Sequence, residues 1–224
     1  MRKSILTLEE QADIAEAVKK AESSTSGEIS TALIPESSDY AFFELRASIF
    51  FGVLIYLMEL LFFKQFSTLA SSLVWNSPEW YVPMSMGLLS FFAGSLFYFF
   101  SNIPAVDRII IPKKIMKTRV RARALRHFSE SGVYATAEGT GILLFVSFME
   151  RRVELIADKG ISSKIPAEEW QQIVTDLSAS IDDKKLSAGL QKALTRCGTL
   201  LNEHFPGTED DINELSDRIV ILEE

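Results

Sequence analysis

The stretch that most constrains this chain is residues 80–106, which contain no charged side chain. This stretch is longer than the roughly 20 apolar residues that a helix needs to cross a bilayer. A second apolar segment, ASIFFGVLIYLMELLFF at residues 47–63, lies at the short end of that range and includes Glu59. A buried hairpin in a soluble protein is the alternative, but such helices are rarely apolar on every face. We therefore predict a transmembrane hairpin over residues 47–106, with spans at about 47–63 and 82–103.

The basic residues on either side of the hairpin predict its orientation. The loop between the spans offers only Lys64, whereas residues 108–126 carry eight basic residues and no acid. Because basic residues are enriched in cytoplasmic loops, both flanks are expected on the cytoplasmic side. The first 25 residues contain no apolar region of the kind found in cleaved signal peptides. The first span is therefore expected to act as an uncleaved anchor.

The segments outside the hairpin carry the patterns of a soluble domain. Thr7-Leu8-Glu9-Glu10 fits a capping box at the start of a helix, and EISTALI (Glu28–Ile34) has the composition of a strand. The stretch Lys113–Glu130 repeats apolar residues every four positions, which predicts a basic amphipathic helix. Further strands are predicted at residues 141–148 and 152–157, followed by two helices and a terminal strand at residues 218–222.

The order of these elements predicts how the domain is built. A lone N-terminal strand is not stable in water, so we expect it to pair with the strands after residue 140. The predicted fold class is α/β, a small mixed β-sheet flanked by helices and interrupted by a two-helix transmembrane hairpin. Residues 1–46 supply the first helix and strand, and residues 107–224 supply the remainder, beginning with the basic amphipathic helix. Both halves must then lie on one side of the membrane, as the charge distribution independently indicates.

Several segments, taken in order, resemble the TPM domain family. They are AEAVKKAESSTSGEI (residues 15–29), GTGILLFVSFMERRVELIADKGI (139–161), HFPGTEDDINEL (204–215) and RIVIL (218–222). The resemblance covers roughly residues 10–34 and 115–222. It implies a sheet flanked by helices and, in bacterial relatives of this type, a two-span insertion. With the charge distribution, which places both termini in the cytoplasm, it leads us to expect a multi-pass protein of the inner (cytoplasmic) membrane of a bacterium.

The resemblance implies less about activity. Plant members of the family are linked to photosystem II repair, and some members are reported to bind divalent metal or to show weak acid phosphatase activity. This sequence departs from the thylakoid pattern at the turn that follows the predicted strand at residues 152–157. There the chain reads Asp158-Lys159-Gly160-Ile161, where a glycine-rich GYGL-like stretch is expected.

The candidate metal ligands are carboxylates. Glu154 and Asp158 share one face of their predicted strand, because side chains alternate along a strand with a period of two. Asp211 and Glu214 belong to a second acidic cluster near the C-terminus. Carboxylate oxygens suit Ca²⁺ or Mg²⁺, so Asp158, Glu154, Asp211 and Glu214 form the predicted metal site. The alternative is structural, with Asp158 accepting amide hydrogen bonds in a turn closed by Gly160.

Other chemistry has little support in the sequence. Two histidines and one cysteine are too few for a structural zinc site, which takes four nitrogen or sulfur ligands. There is no glycine-rich phosphate loop and no GxSxG motif. Cys197 falls on the apolar stripe of the last helix and is expected in the core. Glu150-Arg151-Arg152 is expected to form a solvated bend with local ion pairs, and no cofactor is required by this interpretation.

The basic helix at residues 113–130 predicts a membrane-facing surface. Lys113, Lys114, Lys117 and Arg121 are candidates for contact with anionic lipid, because polybasic segments next to a span are attracted to the cytoplasmic leaflet. Residues 127–224 carry 18 acids and 9 bases, so docking onto this acidic part of the chain stays open as well. Nucleic acid is not an expected partner, since the whole chain has a net charge of −7.

Together these features predict an integral membrane protein with a cytoplasmic TPM-like domain. The leading interpretation is a non-enzymatic module that interacts with, or maintains, membrane-protein complexes, with the lipid bilayer and membrane proteins as partners. The alternative is a weak divalent-metal-dependent phosphatase that uses Asp158 as a ligand. Glu59 is expected to pair with a polar group of the second span or of a partner protein, or to be exposed at the membrane interface.

Overall fold

The computed structural model describes residues 5–73, 78–101, 103–136, 138–182, 185–207 and 213–223. The chain divides into two compact units. The first, here called the sheet domain, consists of residues 1–38 and 114–224. The second, here called the hairpin unit, consists of residues 39–113, and its described elements are helices.

The helices and strands are, in chain order, α1 (Leu8–Glu22), β1 (Glu28–Ile34), α2 (Ala41–Leu61), α3 (Phe63–Leu73), α4 (Tyr81–Ser101), α5 (Pro104–Ile110), α6 (Lys113–Glu130), β2 (Gly141–Ser147), β3 (Arg152–Ala157), α7 (Lys159–Ser162), α8 (Ala167–Asp182), α9 (Leu186–His204) and β4 (Val220–Ile221). A short 3₁₀ helix (Val133–Ala135) lies between α6 and β2.

The sheet has four strands in the order β3-β2-β1-β4. β1 pairs in parallel with both β2 and β4, whereas β2 and β3 form an antiparallel hairpin. The prediction that the N-terminal strand pairs with strands after residue 140 is therefore confirmed, as is the α/β class with a mixed sheet flanked by helices. Because β1 lies between β2 and β4, it is the central link of the sheet.

The two central strands bury both of their faces. On one face, alternate residues such as Ile29, Leu33 and Leu144 join a core that includes residues of α1, α8 and α9. On the other face, Ala32 and Phe145 pack with residues of α6 and of the 3₁₀ helix. All seven residues of β1 and of β2 are buried. β2 accordingly reads as a nearly continuous apolar run, whereas β1 also buries Glu28, Ser30 and Thr31.

The element boundaries follow local sequence signals. Thr7 caps α1, since its Oγ1 accepts a hydrogen bond from the Glu10 amide at 3.2 Å. In return, Glu10 Oε2 accepts one from the Thr7 amide at 2.7 Å, which completes the predicted capping box. β1 and α6 begin and end where the patterns predicted them, at Glu28–Ile34 and Lys113–Glu130. Local chemistry therefore accounts for most of the elements of the sheet domain.

The hairpin unit differs in detail from the expectation. α2 begins at Ala41 and ends at Leu61, earlier than the predicted span at about 47–63, while α4 ends at Ser101. α3 occupies part of the predicted loop, because residues 62–77 contain no glycine or proline to stop a helix. α5 begins at Pro104 in the first helical turn, a position where the missing amide hydrogen costs nothing.

The side chains buried in the hairpin unit are largely polar or small. In α2 they are Glu44, Ser48 and Glu59, and in α4 they are Met86, Ser90, Gly94 and Ser101. We call Glu44, Ser48, Glu59, Ser90 and Ser101 the polar seam. The large apolar side chains of both helices are exposed, among them Phe50, Leu54, Leu57, Phe91, Phe92 and Phe99.

Glycine sets how closely α2 and α4 approach. A Cβ atom added to Gly94 would lie 3.1 Å from the Ser48 carbonyl oxygen, and one added to Gly52 would lie 3.2 Å from the Ser90 carbonyl oxygen. Small residues at such positions let two helix backbones come close together, as in membrane helix pairs. Close backbone approach at these two glycines therefore holds the seam together with the stacked rings of Phe51 and Phe97.

Candidate functional sites

Glu154, one of the predicted metal ligands, is paired with a residue of the basic helix. Its Oε2 accepts a hydrogen bond from Arg121 Nη1 at 3.0 Å, and the side chains are 13% and 57% exposed. The pair joins β3 to α6. Arg121 was predicted to face lipid and Glu154 to bind metal. The structure places the two side chains in contact with each other, and both roles stay predictions.

Asp158 begins the short helix α7. Its Oδ1 accepts a hydrogen bond from the Lys159 amide at 2.6 Å, in line with the structural alternative for this residue. Gly160 was predicted to close a turn, but it lies within α7. A Cβ atom at Gly160 would lie 2.6 Å from the Gly139 carbonyl oxygen, so glycine is required there by close backbone approach.

The remaining predicted ligands do not gather around Asp158. Glu214 is exposed, and Asp211 lies outside the described residues. Across the described ranges of the chain, no group of three or more His, Cys, Asp or Glu side chains could hold a metal ion. Glu154, Asp158 and Glu214 are therefore not brought together as a metal site in this part of the chain, and metal binding that involves Asp211 stays a prediction.

The prediction of a solvated bend at Glu150 is wrong. Glu150 is only 5% exposed, and its Oε1 accepts a hydrogen bond from the Ser37 amide at 2.9 Å. Its Oε2 accepts one from the Ser147 hydroxyl, which in turn lies 2.7 Å from the Ser37 hydroxyl oxygen. These three residues, the Glu150 cluster, lie at the carboxyl ends of the parallel strands β1 and β2, where α/β folds often place functional groups.

The sequence gives little warning of the Glu150 cluster. Ser37 precedes the hairpin unit and lies 113 positions before Glu150, so no local pattern connects them. A charged residue beside Arg151 in a tight turn ordinarily faces water. Glu150 instead supplies acceptors for a backbone amide and a hydroxyl that the fold buries, which offsets the cost of leaving them unpaired.

The basic helix α6 has one buried and one exposed side. Met116, Val120 and Ala124 are buried, as the four-residue spacing predicted. Lys113, Lys114 and Lys117 are exposed. Near the end of the helix, Glu130 lies 3.6 Å from Arg126 and 3.9 Å from Arg123. The exposed positive charge of α6 is therefore concentrated in its first turns.

Two titratable groups of the sheet domain are shifted by burial. Burial lowers the pKa of His127, the charge of Arg123 lowers it further, and Glu130 opposes both. Its Nε2 atom is buried without a hydrogen-bond partner among the described residues. Cys197 lies in the core, as predicted, and burial raises the pKa of its thiol to about 12.

The polar seam of the hairpin unit contains three buried carboxyl-bearing residues when Asp107 of α5 is included. Glu59 is buried, and its Oε2 accepts a hydrogen bond from the Ser90 hydroxyl at 3.0 Å. Of the alternatives for Glu59, the structure therefore shows pairing with the second apolar helix. Glu44 and Asp107 are buried as well. The sequence reveals each of these acids, but not that all three turn inward.

The four-stranded mixed sheet, with helices on both faces and a helical unit placed in sequence between β1 and β2, defines an α/β domain with a helical insertion. Residues 108–200 match the family model described as TPM domain. Over these residues the match bears out the resemblance to the TPM domain family found in the motifs.

A solved structure supports the fold. The chain is similar to the BA42 protein of the psychrophilic bacterium Bizionia argentinensis, determined by NMR, with 18% sequence identity and a TM-score of 0.59. The similarity covers 99% of each chain, and at this identity it concerns the fold alone. No protein with a curated description matches the chain.

Proposed function

We propose that this chain is an integral membrane protein that holds a TPM domain at the cytoplasmic face of a bacterial inner membrane. There it acts as a non-enzymatic module that interacts with, or maintains, membrane-protein complexes. The observation that carries the proposal is the polarity of the hairpin unit, in which polar and small side chains are buried while large apolar ones are exposed.

This polarity is the reverse of that expected in water. By length and composition, α2 and α4 are each long and apolar enough to cross a membrane. Phe91 is 67% exposed and Phe99 is 74% exposed, and a soluble monomer rarely exposes a large contiguous apolar surface. In a bilayer the same side chains meet lipid, while the polar seam is shielded between the helices.

The sheet pairing supports the proposed topology. β1 precedes the hairpin unit and β2 follows it, yet they are hydrogen-bonded over the whole length of β1. A chain that crosses the bilayer between them must cross an even number of times. The exposed lysines at the start of α6 then favour the cytoplasmic side for both halves.

The same lysines suggest how the module approaches its partners. Lys113, Lys114 and Lys117 are exposed on the helix that follows the hairpin unit directly in sequence. Each basic residue near an anionic surface contributes about 1 kcal/mol of attraction. We propose that they hold the sheet domain close to anionic lipid, so that it meets proteins embedded in the same membrane.

Topology is tested with single cysteines in the full chain. With Cys197 replaced by alanine, Ser71→Cys in α3 should react with a membrane-impermeant maleimide in intact cells. Lys117→Cys should react only after the cells are opened. If Lys117→Cys but not Ser71→Cys is labelled in intact cells, the orientation is opposite to the one proposed. If both are labelled equally, and only after lysis, the hairpin model is excluded.

The module function is tested by photocrosslinking in native membranes. A photoreactive residue at Lys117 should form adducts with integral membrane proteins, whereas one at the exposed Glu168 of α8 should form fewer. The phosphatase alternative uses Asp158 as a metal ligand. Saturable Mg²⁺- or Ca²⁺-dependent turnover by the full chain, lost in Asp158→Asn with the fold retained, would favour that alternative.

A further inference from the structure

We propose that Glu44 and Asp107 form a proton-binding site within the hairpin unit, in which one bound proton keeps α5 packed against α2. The site is distinct from the sheet domain and from the predicted metal ligands. It does not depend on which protein or lipid the TPM domain contacts.

Both carboxyl groups are removed from water. Glu44 is 6% exposed and Asp107 is 5% exposed, and α2 and α5 contact each other within the hairpin unit. Burying an ionised carboxylate close to another negative charge is strongly unfavourable. A carboxyl group in such a place neutralises by taking up a proton.

The hydrogen-bonding state of Asp107 supports a proton as the missing component. Its Oδ1 atom is buried and has no hydrogen-bond partner among the described residues. An ionised carboxylate needs donors for its oxygens, whereas a protonated carboxyl is itself a donor. A proton taken up from cytoplasmic water, converting the carboxylate to the acid, supplies that donor without requiring a cavity.

The surrounding charges favour uptake near neutral pH. The pKa of Asp107 is raised to about 6, because burial and repulsion from Glu44 on α2 outweigh the opposing charge of Arg108 on α5. Asp39, just before α2, adds a second negative charge near Glu44. Arg46 of α2 lies over the Phe43 ring, 5.8 Å from its centroid. Tyr98 is the titratable side chain in the last turn of α4.

A divalent cation fits this site less well than a proton. Ca²⁺ takes six to eight oxygen ligands, and Mg²⁺ keeps several water molecules when it is bound by one or two carboxylates. The described part of the hairpin unit offers two buried carboxyl groups here, and no group of three acids was found there. Binding of one proton removes the repulsion between two such neighbouring acids.

The direction of the pH effect follows from the raised pKa of Asp107. The packed state binds the proton more tightly than an open state, in which the pKa returns toward 3.8. The packing of α5 is therefore strongest at low pH and weakens as the pH rises through about 6. The Ile111 amide donates to the Asp107 carbonyl oxygen at 2.8 Å at the end of α5, so this amide reports the change.

The test uses the full chain in lipid nanodiscs. Hydrogen exchange of residues 104–111, corrected for the intrinsic pH dependence, should show protection that decreases with a midpoint near pH 6. Asp107→Asn, a neutral replacement, should make protection independent of pH. Glu44→Gln should shift the midpoint to lower pH because it removes the repulsion, while Glu79→Gln at an exposed position should leave the profile unchanged.

Infrared spectroscopy of the same samples detects the bound proton directly. A protonated carboxyl band should titrate with the same midpoint and disappear in Asp107→Asn. A wild-type profile that is flat, or that persists in Asp107→Asn, would overturn the proposal. If Mg²⁺ or Ca²⁺ moves the midpoint of the wild type and has no effect on Asp107→Asn, the site binds a metal ion instead of a proton. That result would also overturn the proposal.

Discussion

The sheet domain and the hairpin unit place opposite kinds of side chain in their interiors. In the sheet domain, Phe145 and Leu144 are fully buried. In the hairpin unit, the buried positions include Glu44, Ser48 and Ser90, while phenylalanines point outward. In the membrane setting proposed for the hairpin unit, each unit buries the side chains that its surroundings solvate poorly.

The largest expected effect is the loss of an apolar side chain from the sheet domain. Phe145→Ala should reduce the free energy of unfolding by about 3–5 kcal/mol, since it removes a buried ring and leaves a cavity. Phe148→Ala, at a residue three positions away that is 42% exposed, should cost much less. Equal losses in the two variants would contradict the assignment of this core.

Cys197 provides the measurement for this comparison. It is the only cysteine in the chain, and burial raises the pKa of its thiol to about 12. An alkylating reagent should therefore react with it only when the sheet domain opens. The urea concentration at which labelling begins gives the stability of each variant in the full chain.

The second prediction concerns the one strongly buried acid of the Glu150 cluster. Glu150→Ala should cost about 2–3 kcal/mol, because the Ser37 amide and the Ser147 hydroxyl lose their acceptor in a buried place. Glu154→Ala, which breaks the partly exposed pair with Arg121, should cost no more than about 1 kcal/mol. Labelling of Cys197 in urea checks both values, and a larger cost for Glu154→Ala would reverse the ranking.

The third prediction tests the close helix approach in the hairpin unit. Gly94→Leu should destabilise the contact between α2 and α4 by about 1–3 kcal/mol, since the new side chain meets the Ser48 carbonyl oxygen. Gly87→Leu is the matched control, because no atom lies within 4 Å of a Cβ added there. If both variants behave alike, the helices do not pack through their glycines.

A cysteine crosslink measures the third prediction. The rings of Phe51 and Phe97 stack with centroids 4.7 Å apart, so cysteines at these two positions should be joined by a short bifunctional thiol reagent. The experiment requires the Cys197→Ala background. The crosslinking yield in nanodiscs should fall in Gly94→Leu and remain unchanged in Gly87→Leu.

The smallest expected effect is a pH dependence of stability that differs in direction between the two units. Because burial lowers the pKa of His127, the unfolded sheet domain binds a proton more readily than the folded one. Its stability should be fully present above the unfolded pKa of about 6.5 and should decrease as the pH falls below it. The contact between α5 and α2 should change in the opposite direction.

Substitution isolates the contribution of His127. His127→Gln should flatten the acid side of the stability profile measured by Cys197 labelling, whereas His204→Gln should leave the slope in place. A slope that survives in His127→Gln would assign the acid sensitivity to another group of the sheet domain.

Sequence patterns anticipated the elements that depend on neighbouring residues. The capping box at Thr7, the strand Glu28–Ile34 and the helix Lys113–Glu130 all follow from local spacing and were confirmed. They could be predicted because the apolar period and the cap lie within one element. The apolar character of α2 and α4 was evident for the same reason.

The features that were missed depend on distant parts of the chain. The buried Glu150 accepts a hydrogen bond from Ser37, which precedes the hairpin unit in sequence. Glu154 is paired with Arg121, which lies 33 positions earlier. The inward turn of Glu44 and Asp107 depends on the packing of separate helices. Such choices are made by tertiary structure, which composition and periodicity do not encode.

The central position of β1 has a consequence for biosynthesis. The ribosome produces β1 early, but its partners β2 and β4 emerge only after the whole hairpin unit has been made. Until then β1 has no strand to pair with and must be kept from aggregating. In the proposed topology, failure of one helix to insert would leave the two halves on opposite sides of the membrane, and the sheet could not close. Completion of the fold would then depend on correct membrane insertion, and misinserted chains would be exposed to proteolysis.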